Sequence, residues 1–206
     1  MMLSNRGLDS DAREAGARQA GTLERKRMQP WFIATELLTS HGGEAWEKYL
    51  AWSGLRHLDE VVSLDPMLCP TLLPEIKDEY WPHIVNEDFM LNFFVDLEFL
   101  LKQIAAIPER NLLCVYRNPE STPPPCKGPV KFEFLGYDLV DVEGGASVLT
   151  NCGGFPDVFA NNELSSKGLL TSHERALQVQ AELRTKHPEE HHAECHVWAI
   201  SKAVAL

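Results

Sequence analysis

The chain lacks the cysteine pattern of a disulfide-stapled protein. Its five cysteines, Cys69, Cys114, Cys126, Cys152 and Cys195, are odd in number and widely spaced, with no CxxC pair. This argues against a disulfide framework and for a reducing, cytoplasmic setting. Long apolar runs are lacking too. The most apolar window, residues 89–107, is interrupted by Asn92, Asp96, Glu98, Lys102 and Gln103, so no membrane span is expected. The first thirty residues carry no apolar stretch of the signal-peptide kind. Positive charge is scarce: 19 Lys and Arg face 30 Asp and Glu, a formal net charge of −11. Such a surface repels phosphate backbones, which disfavours nucleic acid and favours a basic protein partner. A P-loop, GxGxxG, HExxH, GxSxG and an EF-hand loop are all missing. Several large enzyme classes are thereby excluded, and no cofactor is expected.

What is present suits an ordinary globular chain. Of the 206 residues, 44% are hydrophobic and 24% charged, enough to bury a substantial core. Residues 1–27 stand apart. Six basic residues against four acids make them +2, leaving −13 for the rest. Their large apolar residues are too few to offset the entropy of ordering, so a disordered or loosely helical extension is expected. Met28, opening the apolar segment "MQPWFIATELL", reads as the biological start, with a basic arm as the rival reading. Residues 28–206 then form a single domain.

That domain reads as alternating helices and strands. "GEAWEKYLAW" places Trp46, Tyr49 and Leu50 on one helical face, with Trp52 off it. The Trp81–Pro82 bond is a candidate cis peptide. Asn86 is a candidate cap for a helix whose stripe is Met90, Phe93, Phe94, Leu97, Leu101 and Ile104, although alternation from Phe89 to Leu101 also fits a strand. "NLLCVY" reads as a buried strand. "VKFEFLGYDLVD" alternates as a strand with a bulge at Gly136, and "ASVLT" as a short further strand. Thr171 and Glu174 form a capping box for a late helix that Pro188 stops, and "CHVWAI" is the last strand. The expected class is α+β, a mainly antiparallel sheet packed by helices.

Four stretches, "SGLRHLDEVVSLDPMLCP", "LGYDLVD", "LTNCGGFPDVF" and "PEEHHAECHVWAI", resemble segments of a family of small bacterial proteins with no established function. The resemblance runs from about Met28 to the C-terminus. It implies no catalytic or binding residue.

Three chemical readings remain. In "TNCGGF", Cys152 precedes two glycines whose amides could hold an oxyanion, with His173 or His83 as base. Here the simpler reading is a turn with an inward-packed sulfur. A second cluster, His191, His192, Cys195 and His196, holds zinc-ligand residue types. Its spacing matches no standard finger, and Cys195 and His196 should face opposite sides of a strand. The third is the acidic series Asp59, Glu60, Asp65, Glu75, Asp78, Glu79, Glu87 and Asp88, joined by Asp138 and Asp141. It fits no paired-carboxylate motif and reads as a solvated face able to dock a basic protein. The preferred reading is a protein-binding or immunity-like module, with a Cys152 enzyme as alternative.

Overall fold

The structure, a computed structural model, describes residues 29–85, 92–143, 145–151 and 154–204. The expected N-terminal extension, the Asn86 cap, Glu87, Asp88, Met90 and Cys152 lie outside the described residues.

The architecture is α+β. A six-stranded sheet runs in the order β4-β5-β1-β6-β8-β7. Its strands are β1 (Trp31–Thr35), β4 (Ile84–Val85), β5 (Phe93–Phe94), β6 (Asn111–Arg117), β7 (Phe132–Asp141) and β8 (Cys195–Ala203). Every neighbouring pair is antiparallel. Two short strands, β2 (Leu38–Thr39) and β3 (Glu60–Val61), pair separately. Among the described residues three α-helices accompany them: α1 (Glu44–Ser53), α2 (Leu97–Gln103) and α3 (His173–Lys186). Among the described residues no helix is long and apolar enough to cross a membrane.

Both faces of the central strands are buried, so these strands read as continuous apolar runs. Phe32, Leu112, Cys114, Val197 and Ala199 share one cluster with Trp46, Tyr49, Leu100, Val179 and Leu183 from the helices. Alternate positions, Ile33, Leu113, Val115, Trp198 and Ile200, pack on the opposite face against Val62, Leu64 and Leu169. Each fully buried aliphatic or aromatic side chain contributes about 1.5–3 kcal/mol.

Several elements differ from the sequence reading. The long helix expected after Asn86 is a strand followed by a shorter helix. Phe94 faces the helices and Phe93 the opposite cluster, and only a strand buries consecutive residues on two sides. α2 begins after Asp96, whose Oδ1 accepts the Phe99 amide at 2.9 Å. Trp81–Pro82 is not cis; Pro82 lies within a 3-10 turn, Asp78–His83. "ASVLT" forms a turn with one bridge, Val140–Ser147, rather than a strand. The cap of α3 is Ser172, which accepts the Arg175 amide, and not Thr171. Leu170 still exchanges backbone hydrogen bonds with Tyr137, which delays the helix by one residue.

The bulge at Gly136 is present, between Phe134 and Gly136 opposite β8. Gly136 has φ 148°, and a Cβ there would stand 2.5 Å from the Leu170 carbonyl oxygen. Gly136→Ala is therefore expected to lower stability by about 2–3 kcal/mol. Urea unfolding followed by tryptophan fluorescence measures this, and an unchanged midpoint would show that the bulge tolerates a side chain.

Candidate functional site

Four acids expected on the solvated face, Glu60, Asp65, Asp138 and Asp141, are buried instead. Asp65 and Asp138 are each 0% exposed. Ser63 Oγ donates to Asp138 Oδ2 at 2.6 Å and Ser147 Oγ to Oδ1 at 2.7 Å. Asp65 Oδ1 accepts the amides of Met67 at 2.8 Å and Leu68 at 3.2 Å. Its Oδ2 accepts the Ser147 amide at 2.8 Å and Asn151 Nδ2 at 2.7 Å. Ser147 thus serves both carboxylates, one with its N–H and one with its O–H. The network ties residues 63–68 and 147–151 to β7. Burial pushes the Asp138 carboxyl up from 3.8 to about 6, against the opposing hydrogen bonds from Ser63 and Ser147.

Asp138 and Asp141 diverge along β7 as their spacing requires, yet neither is solvated. Asp141 lies at the strand end, 0% exposed. Its Oδ1 accepts the amides of Glu143 at 3.0 Å and Gly145 at 3.2 Å, and its Oδ2 that of Ala146 at 2.9 Å. Across from it a three-residue 3-10 turn, His191–Ala193, leads into β8. His191 is exposed and His192 is buried, their rings 3.9 Å apart. One ligand atom from each of Asp141, His191 and His192 falls within 4.8 Å of the others. Desolvation holds His192 below the ordinary histidine value, and His191 adds to the effect.

The other proposed metal ligands are elsewhere. Cys195 packs into the helix-side cluster, and burial pushes its thiol up to about 12. The His196 ring, on the opposite side of β8, meets Asn118 Nδ2 at 3.0 Å from Nδ1. Of the four expected residues, the fold brings His191 and His192 together and recruits Asp141. No local spacing could reveal that recruit, because it lies fifty residues upstream and converges only through the β7–β8 ladder.

The two candidate bases for Cys152 sit near opposite edges of the sheet. His83 precedes edge strand β4, with Nδ1 3.0 Å from Asp96 Oδ2 and its ring stacked on Phe99 at 3.9 Å. His173 opens α3, which packs on β7 and β8; its Nε2 donates to the Pro119 carbonyl at 2.7 Å. Five strand spacings separate those edges, roughly 24 Å. Thr150 and Gly154, which flank the undescribed Cys152, line a shallow cleft with Ser53, Leu55, Leu149 and Asn161. Neither histidine lines it.

Among the described thiols, Cys69 is also buried and pushed up to about 12 by desolvation. Cys114 and Cys126 are electrostatically interacting neighbours, which raises the Cys114 thiol and lowers that of Cys126.

At the surface, the acids divide by location. Around α3 three of them are matched: Arg175 bridges Glu163 at 2.6 Å and Glu182 at 3.3 Å, Lys186 meets Glu182 at 2.8 Å, and Arg184 meets Glu194 at 3.5 Å. Beside β4 the balance differs. Glu75, Asp78 and Glu79 are exposed, and among the described residues no cation pairs with them. Ile76 and Trp81, 40% and 50% exposed, lie on the same segment. Tyr80 anchors it, buried against Phe94 and Phe99 at ring distances of 5.8 and 5.5 Å. No protein-family profile, curated protein or solved structure matches the chain.

Two outcomes are expected. The folded chain keeps the Asp138 proton between about pH 4 and 6, where the unfolded chain has lost it. Stability therefore falls as pH rises through that window, by up to roughly 3 kcal/mol. Asp138→Asn should remove this component, and urea midpoints across the window test it; an identical slope in the variant refutes the assignment. Iodoacetamide at pH 8 should label Cys126 well before Cys69, Cys114 and Cys195 in the native protein, read by peptide mass spectrometry. Equal labelling of all four would contradict the burial.

Proposed function

We propose that the chain is a protein-binding module whose docking surface is the acidic, tryptophan-bearing segment 75–81. The observation that carries this reading is the juxtaposition of Glu75, Asp78 and Glu79 with exposed Ile76 and Trp81 on one anchored turn. Three carboxylates outnumber the one cation of the segment, Lys77, whose Nζ lies over the Tyr80 ring at 5.7 Å and makes no ion pair with them, so the surface attracts a cationic partner and orients its approach. A tryptophan supplies the apolar anchor that charge alone does not, and tryptophan is enriched among residues that dominate binding energy. The net charge of −11 adds a long-range field of the same sign. The partner's chemistry follows: a basic protein surface with an apolar depression between Lys or Arg side chains. An immunity-like role, in which a small acidic protein covers a cationic one, is one form of this reading. Four described cysteines are free thiols, which suits the cytoplasm as the place of action.

The test uses a panel of Arg- and Lys-rich peptides, with affinity measured by fluorescence anisotropy at two salt concentrations. The triple variant E75K/D78K/E79K should weaken binding at least about tenfold and flatten its salt dependence. Trp81→Ala should weaken it about tenfold while leaving the salt dependence in place. A control triple, E133K/E174K/E189K, changes net charge equally but lies on other segments, and should have a much smaller effect. Equal weakening by the two triples would reduce the interaction to net charge and overturn the assigned surface.

A further inference from the structure

The end of β7 and the turn before β8 bring an acid and two imidazoles to one point. One ligand atom from each of Asp141, His191 and His192 lies within 4.8 Å of the other two. We propose that these three side chains form a binding site for a single divalent transition-metal ion of the zinc class.

His192 makes the strongest case. It is 6% exposed, and both ring nitrogens, Nδ1 and Nε2, are buried without a hydrogen-bond partner. A buried polar group is ordinarily satisfied, and an orphaned imidazole among Asp141 and His191 points to a missing partner. The electron pair on a neutral ring nitrogen is what a metal ion takes up.

Asp141 is pre-oriented. Backbone amides, among them those of Glu143, Gly145 and Ala146, fix the orientation of its carboxylate. The turn that donates them depends on Gly145 at φ 72°. Asp65 and Glu190 add negative field at His192, which favours a cation there.

The donor set narrows the ion. Two imidazoles and one carboxylate suit Zn²⁺, Co²⁺ or Ni²⁺, whereas Mg²⁺ and Ca²⁺ prefer oxygen throughout. Metal–ligand bonds of about 2.0–2.2 Å would draw the three atoms closer together. The exposed His191 can make that adjustment by rotating, and its exposure opens an entry path. Three protein ligands leave a fourth tetrahedral position for water or an external donor. The site is separate from segment 75–81, so its failure and the failure of the docking surface are distinguishable.

The experiment titrates chelator-treated, tag-free full-length protein with Zn²⁺ by isothermal calorimetry, and with Co²⁺ by visible absorption. One Zn²⁺ per chain is expected, with no comparable response to Mg²⁺. His191→Gln, at an exposed position that should not disturb folding, should weaken Zn²⁺ binding at least about tenfold. His41→Gln, at a remote exposed histidine, should leave it unchanged. The Co²⁺ form should show d–d bands without thiolate charge transfer. Substoichiometric binding, equal affinity in the His191→Gln variant, or a thiolate band would each overturn the assignment.

Discussion

The fold depends on burying two carboxylates at one end of the sheet without leaving either unsatisfied. Removing a carboxylate from water costs far more than its neighbouring apolar contacts return, unless donors converge on it. Ser147 meets this demand for Asp65 and Asp138 at once, through its amide and its hydroxyl. Ser63 and Asn151 complete the set. Segments distant in sequence must therefore be placed correctly together, because either alone would leave a buried acid short of partners. The same requirement fixes the end of β7, from which Asp141 reaches the His191–His192 turn.

Surface electrostatics follow from the topology. α3 packs on β7 and β8 and carries Arg175, Arg184 and Lys186, so Glu163, Glu182 and Glu194 near that edge find partners. At the other edge, β4 is only two residues long, and the turn before it presents acids to solvent. The excess negative charge is thus felt most where the sheet ends. An edge strand this short offers little backbone for pairing, so recognition there falls to side chains.

Much of the fold was legible in the sequence because it is written in local periodicity. α1 and β7 with its Gly136 bulge carry an apolar pattern of clear period, β6 and β8 stand out as short apolar runs, and α3 is bracketed by its cap and Pro188. The segment around Phe93 and Phe94 was ambiguous: the same residues fit a helical stripe and an alternating strand. Two-sided burial settled it, and that is a property of neighbours. Thr171 and Ser172 could each cap α3, and the backbone pairing of Leu170 with Tyr137 selected the second. The candidate site was less visible. His191 and His192 drew attention as metal-ligand types, but Cys195 and His196 were grouped with them only through adjacency, and Asp141 had no signal.

By itself the sequence determined the α+β class, the principal apolar elements and the acidic balance, since propensity, periodicity and charge act over a few residues or as simple sums. Tertiary structure alone decided which acids are buried, which remain unmatched at the β4 edge, and which imidazoles meet a carboxylate. Those outcomes turn on antiparallel pairing between strands some fifty residues apart, and the local free energies of the chain carry no information about that register.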